Sequence, residues 1–452
     1  MKRIGCLLLV SSLLLATTMA HSATRPRYGG TLHVAMHAAP VSLDPNQPGV
    51  AASHNLTALV FDTLVALDAQ GRLEPALATS WQAEPGDQRW RFTLRTGVSF
   101  ADNAPMRADS VASSLRAGNP SWRIVAERDA VVIERDAPSP DLPAELALSR
   151  NSIVKQTGAA VLGTGPFVIS QWDAGKRLVL VARDDYWGGR PFVGTVEITM
   201  GVSVRDQAIA FDLDRTQLIE VAPEQARRMA AEGRHIAASA PADLVALVFA
   251  RPPQNSEETK LREALSLSID RSLLNAVVLQ NGGEPTAALL PDWITGYGFL
   301  FPTDVNLTRA QQERAEVPQA LLWNVDFDRN DPVARVLAER ILLSARDAGL
   351  RMQVSNGPTA EVKLVRLPLT SLDAHVALAG LASAMNLAAP TFRGDSVDDL
   401  FAAETTLLRS QRVIPLLHLR RAFAVSNTVR GWSEGPDGGW HLADAWLTAE
   451  RQ

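Results

Sequence analysis

The sequence contains a single cysteine, Cys6, among its 452 residues. One thiol cannot form an internal disulfide, and it cannot build a zinc site from several thiolates. The 44 Lys and Arg residues are outnumbered by 49 Asp and Glu residues, and the formal net charge is -5. Because nucleic-acid phosphates attract a basic excess that this chain lacks, we expect no nucleic-acid partner.

Long hydrophobic runs are also absent, apart from one at the N-terminus. Lys2 and Arg3 precede the apolar run IGCLLLVSSLLLA, and the small residues Thr18 and Ala20 follow it. This pattern predicts a secretory signal peptide over residues 1–20, since the run is shorter than the roughly 20 residues that span a bilayer. Cys6 lies ahead of most of the run rather than at the cleavage point. We therefore expect a periplasmic protein without a lipid anchor.

Common catalytic patterns are missing as well. The sequence has no G-x-S-x-G, H-E-x-x-H or C-x-x-C motif and no phosphate-binding P-loop. GTGPF at Gly163 starts like a dinucleotide-binding motif, but Val168 stands where the third glycine is required. His33 and His37 are four residues apart in a strand-like segment and have no third partner for a metal. We expect no cofactor, no metal centre and no enzymatic activity.

Strand-like and helix-like segments alternate along the rest of the chain, which predicts an α/β protein. In QRWRFTLRTGV, the apolar residues Trp90, Phe92 and Leu94 alternate with polar ones, as in a strand with one buried face. In DPVARVLAERILLSARDAG, Asp331 is the expected N-cap of a helix and Gly349 its expected end.

Two breaks in this alternation predict crossings between two lobes. RPPQNSEE, which starts at Arg251, is a proline-rich polar break after the apolar strand LVALVFA. RSQRVIPLLHLRR, which starts at Arg409, follows a helix-like run. The expected divisions are residues 21–248 for the first lobe, 249–411 for the second lobe and 412–452 for the return to the first lobe, which is therefore discontinuous.

Seven segments give the sequence a specific resemblance to a known family. They are YGGTLHVAM from Tyr28, VSLDP, VFDTLVALDAQGRLEPALATSW, FTLRTGVSFADNAPMRADSVASSL, GTGPF, DDYWGGRPF and REALSLSIDR. In their order along the chain they closely resemble the extracytoplasmic solute-binding proteins of family 5, which serve ABC transporters for peptides, nickel and oligosaccharides. The resemblance covers about residues 28–290, with a weaker match in VIPLLHLRRAFAVSNTVRGW near the end.

The resemblance implies a periplasmic-binding-protein fold of type II, in the large cluster that carries an extra subdomain beside the first lobe. Such a protein closes its lobes on a solute and presents the closed form to the permease subunits of an ABC transporter. We expect a monomer that binds a small or peptide-like solute. The stretch after SSLRAGNPSW is shorter than is usual in the family, so the subdomain, at about residues 60–160, is expected to be reduced.

The sequence also offers candidate ligand-binding residues, some by their position in the family and each with an ordinary packing role as its alternative. They are His54, Trp122, Arg150, Asn151, Trp293, Tyr297 and Arg393. Arg150 could clamp a ligand carboxylate or form a surface ion pair with a nearby acid. Trp293 and Tyr297 could stack on a ligand or cover the edge of a lobe.

The ligand class depends on one departure from the family. Peptide-binding members carry a run rich in tryptophan and aspartate, whose aspartate holds the α-amine of the peptide. The comparable stretch here, GLASAMNLAAPTF from Gly380, has no acid before Asp395, so we expect an amine to lack a counter-charge. Arg150 and Arg393 favour an anionic or neutral solute instead, and the scattered histidines do not favour a nickel chelate.

Two other functions stay open from the sequence alone. The shortened subdomain is compatible with a degenerate family member that binds a protein partner or acts as a chaperone. A periplasmic hydrolase on the same scaffold is the less favoured alternative, because the sequence does not assemble an acid, a base and a nucleophile.

Overall fold

The computed structural model describes most of the chain: residues 25–47, 54–158, 160–319, 321–329, 331–355 and 360–448. The signal peptide that the sequence predicts, residues 1–20, lies outside this part. No helix within the described ranges combines the length and the apolar character needed to cross a bilayer.

The first third of the described chain consists of short strands and three helices. The strands are β1 (Thr31–Ala35), β2 (Val65–Leu67), β3 (Leu73–Pro75), β4 (Ala78–Ala83), β5 (Arg89–Leu94), β6 (Arg123–Ala126), β7 (Ala130–Glu134), β8 (Lys155–Thr157) and β9 (Ala160–Leu162). The helices are α1 (His54–Val60), α2 (Ala108–Gly118) and α3 (Leu142–Glu145), and Ser149–Asn151 form a 3₁₀ turn.

The middle part contributes longer strands. These are β10 (Phe167–Asp173), β11 (Arg177–Ala182), β12 (Thr195–Thr199), β13 (Leu218–Val221) and β14 (His235–Phe249). Two helices lie between them, α4 (Val204–Asp212) and α5 (Pro223–Ala231).

The last part contains most of the helices. They are α6 (Ser256–Ser268), α7 (Arg271–Leu273), α8 (Asp292–Thr295), α9 (Leu307–Ala315), α10 (Pro332–Asp347), α11 (Ala374–Ala384) and α12 (Val397–Arg409), with a π-helical turn at Leu274–Val278 and a 3₁₀ turn at Gly298–Leu300. The strands are β15 (Gly283–Pro285), β16 (Leu322–Phe327), β17 (Arg351–Val354), β18 (Val362–Leu367), β19 (Val413–Val425), β20 (Val429–Arg430), β21 (Ser433–Glu434), β22 (Trp440–His441) and β23 (Trp446–Leu447).

A mixed sheet of eleven strands runs through the described part of the molecule. Its order is β10-β11-β12-β1-β13-β19-β14-β18-β16-β17, and β15 pairs with β19 beside this path. Strand β1 is parallel to β12 and β13, and β16 is parallel to β17 and β18. We call the part built around β1, β12 and β13 the first lobe and the part built around β16, β17 and β18 the second lobe. This arrangement confirms the predicted α/β class.

Beside the first lobe, the antiparallel strands β4, β5, β7 and β6 form a four-stranded sheet that packs with α2. We call these five elements the small subdomain. Its core contains Phe92 of β5, which is fully buried, and Leu115 of α2. Arg91, between the apolar positions of β5, is exposed. The predicted strand with one buried face is confirmed, because residues two apart in a strand share a face.

Helix α10 begins and ends where the local sequence predicts. The Asp331 carboxylate accepts a hydrogen bond of 2.9 Å from the backbone N–H of Val333, which satisfies one of the free donors of the first turn. Gly349 has a φ of +76°, a conformation that glycine adopts without strain. The chain then enters β17, parallel to β16, so this unit is a crossover connection in the second lobe.

Two long antiparallel strands, β14 and β19, pass through both lobes. Ala237 of β14 and Phe423 of β19 lie in the hydrophobic core of the first lobe, whereas Leu247 and Ile414 lie in the core of the second. The pairing is irregular between Ala238 and Asp243, where the strands leave one lobe for the other. The boundaries placed at 248/249 and 411/412 fall near the second-lobe ends of these strands and stay predictions.

Candidate ligand-binding cleft

A cavity of about 710 Å³ lies between the two lobes. One wall comes from the first-lobe side: Pro45, Gln47, His54, Asp141, Glu145, Leu148, Ser149 and Arg150. The opposite wall comes from the second lobe: Pro368, Leu369, Thr370, His375, Val376, Ala379, Gly380, Ser383, Ala384 and Phe392. Arg421 and Asp437, from β19 and the segment after it, complete the lining. Residues from both lobes therefore surround a space of the size that binds small ligands.

The lobes also touch each other directly. Ala144 and Leu148 on the first-lobe side form a small buried apolar cluster with Val376 of α11. At the turn between β2 and β3, Gly71 has a φ of +76°, and a Cβ placed on it would lie 2.7 Å from the carbonyl oxygen of Leu372. These contacts define a closed arrangement in which the first-lobe side meets the start of α11.

His54, at the start of α1, lies between two other residues of the cavity wall, Ser149 and Asp437. Its Nδ1 lies 2.5 Å from Ser149 Oγ, and its Nε2 lies 3.9 Å from an oxygen of Asp437. Its side chain keeps 40% of its surface exposed because it faces the cavity, yet it is deeply surrounded by protein. Burial lowers the pKa of His54, although Asp437 opposes the effect, so the ring is neutral at pH 7.

Ser149, His54 and Asp437 do not form a catalytic triad. The distance of 3.9 Å between His54 Nε2 and Asp437 is beyond hydrogen-bond reach, so the carboxylate does not orient the ring. A nucleophilic serine requires a base that is itself held in place. The three residues instead provide polar groups on the cavity wall.

Arg150 lies on the cavity wall in an ion pair. Its Nη2 donates to Glu145 Oε1 at 2.8 Å, and Arg135 Nη1 donates to the other oxygen of Glu145 at 3.0 Å. One carboxylate is therefore shared by two guanidinium groups. The short α3 and the 3₁₀ turn that follows place Glu145 and Arg150 next to each other.

A second group of paired charges holds the crossing strands together. The buried carboxylate of Asp243 on β14 accepts from Arg421 on β19 and from Arg366 on β18, each at 2.9 Å. Burial opposes ionisation of Asp243, but the two arginines outweigh it and hold its pKa below the ordinary value. We call Asp243, Arg366 and Arg421 the crossover ion group.

A third group, which we call the acidic corner, contains Asp141, Asp373 and His375. One carboxylate oxygen of each aspartate and a ring nitrogen of His375 lie within 4.8 Å of one another. Burial raises the pKa of Asp141, and so do the carboxylates of Asp373, Asp395 and Glu145, while His375 opposes the shift. The corner joins the lobes, since Asp141 precedes α3 and the other two residues lie at the start of α11.

Local contacts fix the geometry of the corner. Asp373 Oδ1 accepts a hydrogen bond of 3.0 Å from the backbone N–H of Val376, so Asp373 is the N-cap of α11. The ring of His375 packs edge-on against Phe392 with the ring centres 4.6 Å apart. His375 Nε2 is buried and has no hydrogen-bond partner within the described ranges.

Of the residues that the sequence suggests for the site, the structure brings together His54 and Arg150 on the cavity wall. Trp122 is buried in the core of the small subdomain, with the guanidinium of Arg135 over its ring at 4.7 Å. Asn151 is also buried, and its amide donates to the Glu145 backbone oxygen at 2.6 Å. Neither Trp122 nor Asn151 lines the cavity.

The three second-lobe candidates also lie away from the cavity wall. Trp293 donates from Nε1 to the backbone oxygen of Pro241 at 3.0 Å. Tyr297 is buried, and its hydroxyl donates to Glu404 Oε2 at 2.6 Å. Arg393 lines a separate cavity of about 590 Å³ in the second lobe. Their side chains therefore do not meet His54 and Arg150.

None of the carboxylates that line the cleft is among the candidate residues suggested by the sequence. The expectation that an amine would lack a counter-charge in the cleft is wrong. That expectation considers one stretch of the second lobe, whereas Asp141 and Glu145 line the cavity from the first-lobe side. Asp373 lies just before the stretch in question. The only local signal is that Asp141 and Asp373 each directly precede a helix, a position where an aspartate is equally typical of an N-cap.

The chain belongs to the bacterial extracellular solute-binding proteins of family 5, because the family described as "Bacterial extracellular solute-binding proteins, family 5 Middle" matches residues 72–392. It is 34% identical over 171 residues to YhjP, an uncharacterized protein of Bacillus subtilis; the match covers 34% of this chain and 29% of that protein. It is 25% identical over 269 residues to the nickel-binding periplasmic protein of Escherichia coli, covering 52% of this chain and 51% of the relative. The chain thus matches about half or less of the length of these curated relatives.

A solved structure supports the same fold. The chain superposes with a TM-score of 0.79 on the dipeptide-binding protein from Pseudoalteromonas sp. SM9913 in complex with Met-Leu, at 18% sequence identity. The superposition covers 93% of this chain and 100% of that one. The predicted two-lobed periplasmic-binding-protein fold is confirmed.

Proposed function

We propose that the protein is the solute-binding component of an ABC transporter, which captures a small or peptide-like solute between its lobes and delivers it to permease subunits. The observation that carries this proposal is the cavity of about 710 Å³ whose walls come from both lobes. A ligand that touches both walls favours the closed form by its differential affinity for that form. The relatives that bind nickel and dipeptides support a transport role.

The protein acts in this proposal as a monomer in the periplasm, without a lipid anchor, and releases its solute unchanged. The carboxylates on the cavity wall favour a solute that carries positive charge over the anionic one that the sequence favours. His54 and Arg150 are the sequence-derived candidates that this proposal retains as ligand contacts. The two arginines of the wall already have carboxylate partners in Glu145 and Asp243.

The test is to purify the chain under native conditions and to identify bound small molecules by native mass spectrometry. Small-angle X-ray scattering before and after removal of the solute then measures closure, and we expect a smaller radius of gyration with the solute bound. A Ser383→Trp variant, which fills the cavity from an exposed position on its wall, should lose both the bound solute and the change in radius.

The matched control is Val336→Trp, which places the same side chain at an exposed position of α10 outside the cavity wall. This variant should behave as the unchanged protein. Capture of a folded protein partner with no small solute and no closure would favour the degenerate, protein-binding alternative. Turnover of a model ester or peptide that Ser383→Trp abolishes would favour the hydrolase.

A further inference from the structure

The second lobe contains a cavity of its own, with a volume of about 590 Å³. This volume is within the range that small ligands occupy in proteins. One side is the loop between α11 and α12, which contributes Leu387, Pro390 and Arg393. The other side is one face of α12, which contributes Ala403 and Leu407. We call this space the second-lobe cavity.

The loop between α11 and α12 lies between the second-lobe cavity and the ligand-binding cleft. Thr391 and Arg393 line the second-lobe cavity, whereas Phe392, between them in the chain, lines the cleft. None of the lining residues belongs to both cavities. A molecule in the second-lobe cavity would therefore occupy a separate site and leave the cleft free for a solute.

The charges that line the second-lobe cavity do not balance. The guanidinium of Arg393 forms no ion pair or hydrogen bond in the part of the chain that the structure describes. Arg412 donates to backbone oxygens, among them that of Phe249 at 3.1 Å, and these are neutral acceptors. The lining contains one carboxylate, that of Asp399, which accepts a hydrogen bond of 2.6 Å from the Ser396 hydroxyl. Two guanidinium groups and one carboxylate leave one positive charge in excess.

This lining matches an anion with an apolar body. A guanidinium group has N–H donors but no acceptor, and a carboxylate can accept from it with both oxygens. A single carboxylate balances the excess charge, whereas a doubly charged phosphate exceeds it. Leu387, Pro390, Ala403 and Leu407 supply apolar surface that an acyl chain can cover. Asp399 and Leu407 lie about 12 Å apart along the axis of α12, which leaves room for a chain of medium length.

We propose that the second-lobe cavity binds a small carboxylate amphiphile of the medium-chain fatty acid type. Arg393 holds the carboxylate, and Ala403 and Leu407 of α12 contact the chain. This site goes beyond the proposed function, because it takes a ligand of different chemistry outside the cleft. Removal of the chain from water and the charge-assisted hydrogen bonds both contribute to its affinity.

The experiment measures the dissociation constant of octanoate at pH 7 by calorimetry on the full chain after removal of co-purified molecules. Acetate lacks the chain, 1-octanol lacks the charge, and octyl phosphate carries a second charge. We expect octanoate to bind about tenfold more tightly than 1-octanol or acetate, and more tightly than octyl phosphate. Arg393→Gln should weaken octanoate about tenfold. Ala402→Trp, which fills the cavity from an exposed position of its lining, should abolish octanoate binding.

The matched control is Arg409→Gln, which removes another exposed arginine without an ion pair in the described residues, at the end of α12 and outside the lining. It should keep the full affinity for octanoate. Ser383→Trp, which fills the cleft, should keep it too. Thermal unfolding verifies that each variant is folded.

Four results would overturn the proposal. They are absence of octanoate binding, an affinity that survives both Arg393→Gln and Ala402→Trp, tighter binding of octyl phosphate, and a loss in Ser383→Trp without a loss in Ala402→Trp, which would place octanoate in the cleft. The proposed function is tested separately, by the solute that the cleft captures, so it does not fail with this site.

Discussion

The crossover ion group, whose Arg421 lines the cavity, and the acidic corner are two groups of charged side chains, and they differ in how their charges are balanced. In the first, one buried carboxylate, Asp243, faces two guanidinium groups at 2.9 Å each. In the second, two carboxylates and a histidine lie within 4.8 Å of one another, and neither carboxylate forms an ion pair with an arginine or lysine of the described residues. The carboxylate of the first group has its own counter-charges and holds the strands together, whereas the carboxylates of the second group have no such ion pair.

A third acid sharpens this comparison. Glu404 of α12 is fully buried and has no cationic partner among the described residues, yet its oxygens accept hydrogen bonds from Tyr297 and from the backbone N–H groups of Leu289 and Leu290. Neutral donors alone satisfy it. A missing counter-ion therefore does not by itself mark a binding position, because hydrogen bonds from neutral groups can satisfy a buried carboxylate.

The largest effect is expected from Asp243→Asn. The substitution leaves Arg366 and Arg421 facing each other without their carboxylate, and because both are partly exposed we expect a loss of about 3 kcal/mol in the free energy of unfolding. Urea denaturation at pH 7 measures it. Since the pKa of Asp243 is held below its ordinary value, the difference from the unchanged protein should shrink as the pH falls through that lowered pKa. A loss under about 1 kcal/mol would contradict the structural role of the group.

Tyr297→Phe should have the second largest effect. It removes the hydroxyl that donates to Glu404, so we expect a loss of about 2 kcal/mol at neutral pH. Burial raises the pKa of Glu404 despite its hydrogen bonds, so its contribution to stability is complete below the ordinary glutamate value and declines as the pH rises through the raised value. Because the Tyr297 hydroxyl stabilises the ionised carboxylate, the loss in Tyr297→Phe should become smaller as the pH falls through the raised pKa of Glu404. A loss that is independent of pH would show that the hydroxyl does not act through the ionised carboxylate.

Gly71→Ala tests the contact between the lobes rather than a charge. A methyl group there would meet the Leu372 carbonyl oxygen at 2.7 Å, and the left-handed backbone strains alanine by about 1 kcal/mol. We expect that loss in unfolding free energy together with a roughly tenfold weaker affinity for the co-purified solute. Gly86→Ala is the control, because Gly86 has a φ of +93° and a methyl group placed there would have no atom within 4 Å. If both variants bind the solute equally, Gly71 does not control closure.

The smallest effect is expected from Asp141→Asn without solute. Removing one of the carboxylates near Asp373, Asp395 and Glu145 relieves repulsion, so the free energy of unfolding should rise by up to about 0.5 kcal/mol at pH 7. Because the pKa of Asp141 is raised, its ionisation destabilises the fold as the pH rises through that value. The gain should therefore vanish near pH 4. A destabilised variant at pH 7 would show that Asp141 supports the fold.

How much the sequence predicts depends on how local the interaction is. The buried position of Phe92 and the cap at Asp331 were predicted because alternation and capping involve neighbours in the chain. The two-lobed fold followed from seven ordered motifs. In each case the signal lies within a few residues or in the order of whole segments.

The acidic corner could not be predicted in this way. Asp141 and Asp373 come from opposite walls of the cavity, and each precedes a helix, where an aspartate is common for local reasons. Trp122 and Tyr297 are attractive as ligand contacts by residue type, but the structure buries Trp122 in the core of the small subdomain and Tyr297 in a core of the second lobe. Which side chains share a cavity depends on how the lobes meet, and a single sequence does not contain that information.

The two long strands β14 and β19 have a consequence for how the protein melts. Each lobe uses part of both strands in its sheet. Neither lobe can therefore unfold without removing strand partners from the sheet of the other lobe. Scanning calorimetry should then record one cooperative transition instead of two successive ones. A solute bound between the lobes would therefore raise the melting temperature of both lobes together.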